Sequence, residues 1–369
     1  MTSTTSAGHT VSHAKSTLFR FSETLFEGED VGSLQSGSNP SDPFVSIPFQ
    51  FQFPRVVQGN VDYGSNLKKD SNFEHEPGHA LPPSMNAEVW GHYQSIRYHL
   101  EASMPYTSKK IFNSTKTDTR IIRFIPSCVD PSPALSPKFD HRTVSLTRHS
   151  RRLDPSHEHD NHGLRSHIKE LFPSSSDPSA TFSVTTHVPD AARAGSSIHV
   201  SFGIRHEARS PQLTDPPSLR LHGFCVALHA LTLARAPYGS LSNDELSALD
   251  DHKTTIAERH WRGEKHGEEI PPLLPAEGED VDIATLTEER SLAIGKSVLP
   301  TFKTYGLARR YLLQLVLWVE CAGKVFEIGE SARHPITVLP WPDLRPGDSS
   351  ATQVEREDGM PPPSYQESH

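Results

Sequence analysis

Cysteine is scarce: Cys128, Cys225 and Cys321 are the only three among 369 residues. An odd number at wide spacing builds neither a disulfide framework nor a Cys-x-x-Cys metal pattern. Long apolar runs are also missing. The longest, Tyr311 to Val319, is interrupted by Gln314 and is too short for the roughly 20 residues that span a bilayer. The opening segment, Met1 to His13, is polar and lacks the apolar core of a secretory signal. A cytoplasmic chain is expected, in which the sequon Asn113-Ser114-Thr115 is a chance occurrence. No block of Lys and Arg stands out, and the formal charge is -9, which argues against nucleic acid as a partner.

Catalytic signatures are absent too. There is no Gly-rich phosphate loop, no His-Glu-x-x-His, no Gly-x-Ser-x-Gly and no carboxylate pair fixed by a recognisable element. Neither an enzyme nor a cofactor is expected. His157, Glu158, His159, Asp160, His162 and His167 are of zinc-ligand type. They lie in a polar stretch with no cysteine and no helical spacing, so no metal site is expected. Glu268, Glu269, Glu277, Glu279, Asp280 and Asp282 read as solvated acids.

What the chain does have is proline, 31 residues of it, and short alternating patterns. Proline breaks helix interiors, so this composition suits short strands joined by turns. Residues 1–15 are expected to be disordered. In residues 16–128, Phe49, Phe51 and Phe53 alternate with Gln50 and Gln52. Ile96, Tyr98, Leu100 and Ala102 alternate with Arg97, His99, Glu101 and Ser103. A period of two means a strand with one buried face. A polar loop, 59–80, lies between these runs.

Residues 129–179 have linker composition, rich in Pro, Ser, His and Asp. Leu164, Ile168, Leu171 and Phe172 could form a helical turn there. The basic residues Arg142, Arg148, Arg151 and Arg152 read as solvated linker, with anionic lipid or an acidic partner as the alternative. Strand patterns return over 180–340. Phe182, Val184 and Thr186 alternate as far as Val188-Pro189, and a turn follows at Gly195. Ile198, Val200, Phe202 and Ile204 alternate next, then Leu219 and Leu221, with a bulge expected at Gly223 before Val226 and Leu228.

Tyr311, Leu313, Leu315, Leu317 and Val319 fill one face of a late strand, for which a buried helix is the alternative. A hairpin turn at Ala322-Gly323-Lys324 follows. Ile336 and Val338 close the series. Residues 235–290 read as a polar insertion, with a helix start at Ser242 because Glu245 completes a capping box. The tail, 341–369, has almost no apolar content and is expected to stay unfolded. The fold expected is therefore all-β, with two β-sandwich domains over 16–128 and 180–340.

Several runs resemble the arrestin-like family, specifically the alpha-arrestins or arrestin-related trafficking adaptors. Pro48-Phe49-Gln50-Phe51-Gln52-Phe53-Pro54, Leu81-Pro82-Pro83-Ser84 and Ile96–Ala102 are similar to its N-terminal half. Val188-Pro189, Ala194-Gly195 and Ile198-His199-Val200 are similar to the opening hairpin of its C-terminal domain. Pro300-Thr301-Phe302-Lys303-Thr304-Tyr305, Tyr311–Val319 and Pro335-Ile336-Thr337-Val338 are similar to its closing strands. The resemblance implies two immunoglobulin-like sandwiches. It also implies a strand pair with a Pro-Gly turn ahead of the aromatic run. Only about fifteen polar residues precede Leu18-Phe19. The first sandwich is therefore expected to be incomplete, with exposed edges and lower stability.

The tail carries Pro362-Pro363-Ser364-Tyr365 behind Pro361. A polyproline II segment is already extended, so Pro362 and Pro363 suit the aromatic groove of a WW domain, with Tyr365 in a second pocket. Composition alone yields roughly 0.06 occurrences of Pro-Pro-x-Tyr in a chain like this. Leu81-Pro82-Pro83-Ser84, Pro216-Pro217-Ser218-Leu219 and Pro271-Pro272-Leu273-Leu274 lack the tyrosine and read as structural turns.

The resemblance implies an adaptor that brings a WW-domain HECT-type ubiquitin ligase to membrane-protein cargo, a transporter or receptor. Endocytosis and sorting of the cargo would follow. It also implies peripheral association with plasma membrane or endosomes, and Lys296, Lys303 and Lys324 as candidate ubiquitin acceptors. Two other readings stand beside it: a cargo-binding scaffold or coat component independent of any ligase, and a truncated, poorly functional paralogue.

Overall fold

The computed structural model describes residues 5–6, 9–10, 16–27, 47–59, 70–89, 92–107, 113–126, 137–154, 177–237, 245–261, 272–275 and 278–340. Among them the regular structure is β-strand with two short 3-10 turns, and no α-helix occurs. No helix among these residues is long and apolar enough to cross a membrane.

The N-terminal part contains β1 (Thr5–Ser6), β2 (His9–Thr10), β3 (Met85–Val89), β4 (His92–Ile96), β5 (Tyr98–Thr107) and β6 (Asn113–Ile122). They form three separate two-stranded ladders, β1–β2, β3–β4 and β5–β6. After them come β7 (Phe139–His149), β8 (Ser179–Pro189), β9 (Ala191–Arg193), β10 (Ser201–Arg209), β11 (Leu219–Pro237) and β12 (Glu245–His260). The last described strands are β13 (Val281–Asp282), β14 (Phe302–Lys303), β15 (Leu307–Cys321), β16 (Lys324–Ile328) and β17 (Arg333–Leu339).

Two sheets carry the main core. One has four strands in the order β13-β10-β8-β7. The other has seven, in the order β12-β11-β15-β17-β9 with β14 and β16 also paired to β15. The alternation read from sequence places the apolar face of each sheet against the other. Phe182, Val184 and Phe202 of the first sheet are wholly buried, as are Leu221, Phe224, Leu313 and Leu317 of the second. Phe182 meets Phe326 edge to face at 5.8 Å across the gap. This is sandwich packing in the ordinary sense: each strand gives every second side chain to a shared interior.

Two local expectations are met in detail. The ladder between β11 and β15 slips between Leu221 and Gly223, which is the bulge. A Cβ on Gly223 would lie 2.8 Å from the Arg259 carbonyl oxygen, so only glycine permits this approach of β12. At the β15–β16 hairpin, Ala322 and Gly323 both have positive φ, 48° and 78°. That is a two-residue turn whose twist matches the flanking strands.

Three expectations are corrected. The linker composition of 129–179 conceals β7, which pairs with β8 over eleven residues from Phe139↔Pro189 to His149↔Ser179. Only Val144 and Leu146 turn inward onto the core, and the wet face is Thr, Ser and His, so the stretch looks too polar for a strand. The insertion 235–290 contains β12, sixteen residues laddered along β11, and Glu245 opens this strand instead of capping a helix. Ser242 lies outside the described residues. Finally, Phe49, Phe51 and Phe53 form no strand: Phe49 and Phe51 are exposed, and Phe53 alone is half-buried, stacking on Phe124 at 4.8 Å.

A second, smaller core joins the N-terminal segments to the end of the sandwich. Val57, Leu81, Met85, Ile96 and Tyr98 pack with Ala234, Phe302, Tyr305 and Leu307. Leu81, Pro82 and Pro83 of the Leu81-Pro82-Pro83-Ser84 run are buried and Ser84 is half-buried, but the run forms no turn and leads into β3. Tyr98 donates to the Pro82 carbonyl at 2.7 Å, and Ser84 Oγ accepts from the Phe124 amide at 2.8 Å.

Candidate functional site

Pro362, Pro363 and Tyr365 lie outside the described residues, as do the His157–His167 group, the Leu164–Phe172 stretch, and Glu268, Glu269 and Glu277. The body fixes only where the tail begins. β17 ends at Leu339, between the strands of the larger sheet and beside the parallel pairing with β9. From Pro340 to Pro362 is 22 residues (362 − 340), which backbone geometry allows to span at most about 75 Å.

Within the body, the reactive residue types do not converge. Among the described residues no group of three or more His, Cys, Asp and Glu side chains is placed to hold a metal ion. Cys225 and Cys321 are buried free thiols. Burial pushes the Cys321 thiol up to about 11, and it raises Cys225 as well, so neither presents a thiolate.

Of the acids read as solvated, Glu279 and Asp280 are exposed and Asp282 is half-buried. Asp280 and Asp282 pair with His187 and His199 at 3.5 and 3.2 Å, and Asp282 also accepts the Ala284 amide at 3.0 Å. The four arginines do not form one patch. Arg151 pairs with Asp177 at 2.8 Å, whereas Arg148 reaches over the sandwich end to the Ala322 carbonyl at 3.4 Å. Arg142 stands exposed on β7. Of the three lysines, Lys303 donates to the Ser71 carbonyl at 2.7 Å and Lys324 lies over the Phe326 ring at 4.7 Å. Lys296 is exposed.

Two polar assemblies went unseen in sequence because nothing local marks them. The first sits on the outer face of the larger sheet. His229, 3% exposed, has Nδ1 in hydrogen-bond contact with Asp251 Oδ1 and Nε2 with Gln314 Oε1, both at 3.0 Å. Gln314 in turn donates to the Glu330 carbonyl, and Arg333 closes on Asp251 at 2.6 Å. Strands β11, β12, β15 and β17 are thus tied by side chains as well as by their ladders.

Burial works against the Asp251 carboxylate, yet the hydrogen bonds from His229 and Arg333 outweigh it and hold its pKa below the ordinary 3.8. A depressed carboxylate stabilises the fold above its unfolded pKa, and that contribution disappears as pH falls through the folded value. Asp251→Asn is therefore expected to lower stability at neutral pH, and its deficit against the parent chain is expected to begin shrinking only below about pH 4, as the parent's Asp251 takes up its proton. Urea midpoints measured from pH 7 down to pH 3 test this.

The second assembly surrounds Arg235 on β11, 2% exposed. Its Nε donates to the Tyr305 carbonyl at 2.7 Å and its Nη2 to the Glu74 carbonyl at 3.4 Å. The guanidinium covers the Phe73 ring at 4.4 Å. Tyr305 continues the chain of contacts by donating to the Gly59 carbonyl at 2.7 Å, and the Glu74 amide donates to the Thr304 carbonyl at 3.0 Å. One buried cation therefore fastens Phe73 and Glu74, in the described stretch 70–79, to the end of the sandwich.

Both assemblies join strands or segments, and neither brings a nucleophile, a base and an open position together. Their chemistry is cohesive, and what the body offers outward is surface. No family model matches this chain, and no curated protein matches it.

Proposed function

We propose that this chain is a non-enzymatic adaptor whose C-terminal Pro362-Pro363-Ser364-Tyr365 recruits a WW-domain protein to whatever its body holds. The observation that carries the reading is the motif itself, set in a segment too polar to pack. Pro362 and Pro363 supply preformed polyproline II rings for the aromatic groove, and Tyr365 supplies the anchor that fixes register. A β-rich body without a catalytic constellation among its described residues fits the bridging half of the role.

In the arrestin-like reading, the body is a pair of sandwiches that grips a membrane protein, and the WW partner is a HECT-type ubiquitin ligase. Tethering both on one chain turns ubiquitin transfer into an intramolecular encounter, governed by effective concentration. The ordered set of family-like runs over 16–126 and 180–340 supports this finer version. The reading assigns no cofactor and no metal.

The test is a titration of the full chain with isolated WW domains from a HECT-type ligase. Tyr365→Ala is expected to weaken binding at least about 30-fold, on the order of 2 kcal/mol or more, because aromatic anchors dominate small interfaces. Unchanged affinity in that variant would remove the motif from the function.

A further inference from the structure

The four-stranded sheet ends at β7, and no described strand lies beyond it. The direction of its main-chain groups follows from its two ends. The Lys138 carbonyl accepts the Asp190 amide at 2.9 Å, and the Ser150 amide donates to the Pro178 carbonyl at 3.0 Å. Groups in an antiparallel ladder alternate sides, so the even-numbered residues from 138 to 150 face β8. Phe139, His141, Thr143, Ser145, Thr147 and His149 therefore aim their N–H and C=O groups away from the sheet. Among the described residues no main-chain hydrogen bond reaches them.

Edge strands are ordinarily blunted by proline, by lysine, by a bulge or by shortness. β7 runs eleven residues, Phe-Asp-His-Arg-Thr-Val-Ser-Leu-Thr-Arg-His, without proline, lysine or a register shift, and the charges it carries on its inner face are Asp140, Arg142 and Arg148. Among the described residues nothing pairs with this edge.

We propose that β7 pairs antiparallel with β7 of a second copy of this chain, about a two-fold axis at Val144, joining two four-stranded sheets into one of eight. The sequence is complementary to itself in that register. Every outward residue meets an outward residue: Phe139 opposite His149, His141 opposite Thr147, Thr143 opposite Ser145. On the inner face Asp140 stands opposite Arg148, and symmetry makes this ion pair twice. Within one copy Asp140 already holds His334 at 2.7 Å, and its side chain remains 56% exposed toward a second partner.

The neighbouring registers are disfavoured by charge. Moving the axis to Ser145 sets Arg142 opposite Arg148, and moving it to Thr143 sets Lys138 opposite Arg148. Like charges directly opposite destabilise a pair. The choice of a second copy over a foreign strand rests on this self-complementarity, and it is independent of how the tail is read.

The test uses the full chain in sedimentation velocity, with amide exchange as a second readout. The wild type is expected at about twice 40.9 kDa. Thr143 and Ser145 are exposed on the wet face, so Thr143→Lys/Ser145→Lys leaves the single sandwich intact while setting lysines against lysines. That variant is expected to be monomeric, with amides at 141, 143, 145 and 147 exchanging at least about tenfold faster than in the wild type. Asp140→Arg alone is expected to give monomer, and Asp140→Arg/Arg148→Asp to give dimer again. If the swapped chain does not fold, the exchange comparison decides alone. A wild type that stays monomeric across the micromolar range overturns the proposal. So does a dimer that survives Thr143→Lys/Ser145→Lys, or an edge protected only by a foreign peptide.

Discussion

Phe182→Ala is expected to destabilise the sandwich by roughly 3–5 kcal/mol, the range for removing a large buried side chain whose surroundings relax only partly. Phe182 is wholly buried on β8 and faces the second sheet, where its edge contact with Phe326 ties β8 to β16. Truncation removes the transfer free energy of the ring, leaves a void between two sheets held by their own ladders, and loses an aromatic pair worth about 0.5–1.5 kcal/mol. Phe182→Leu refills most of the volume and should cost about 1–2 kcal/mol. Urea unfolding followed by tryptophan fluorescence gives both values. A loss below about 1 kcal/mol for the alanine variant would mean that the sheets do not pack face to face there.

Arg235→Ala should be nearly as damaging, at roughly 2–4 kcal/mol, for a different reason. The side chain is buried, so its removal strands the Tyr305 and Glu74 carbonyls without their donor and uncovers Phe73. Arg235→Lys is not a rescue. An ammonium on a flexible stem cannot reproduce the planar fork that serves two carbonyls and a ring at once. The distinctive signature is local: amide exchange in residues 70–79 should accelerate more than exchange in β8 or β10. Uniform acceleration would show that Arg235 stabilises the whole sandwich and not the docked segment.

The parts of the fold that were legible are those in which one face is dry and the other wet. Phe182 to Val188, Ile198 to Ile204 and Tyr311 to Val319 alternate because every second residue enters the interior. Gly223 and Gly323 marked a bulge and a turn because a side chain fits neither. β7 and β12 were hidden because edge strands bury little: β7 sends only Val144 and Leu146 inward, and β12 exposes Asp251 through Thr255. Composition then resembles a linker even though the ladder is complete.

The Phe49–Phe53 run shows the opposite error. Its alternation is as clean as any in the chain, but no described strand lies alongside, and a period of two has no consequence without a partner. His229 and Arg235 were invisible for another reason. A buried polar side chain is identified by its partners, and Asp251, Gln314, Tyr305 and Glu74 are distant in sequence. The tail motif can be proposed from sequence alone because a linear ligand would carry its recognition chemistry in consecutive residues.

The adaptor account stands or falls on whether Pro362, Pro363 and Tyr365 are available to a groove while joined to the folded body. An isotope-labelled WW domain, titrated in parallel with the full chain and with the peptide Pro361–His369, measures this directly. Equal dissociation constants for the two, each lost on Tyr365→Ala, are the predicted result. A peptide that binds while the full chain does not would contradict the account.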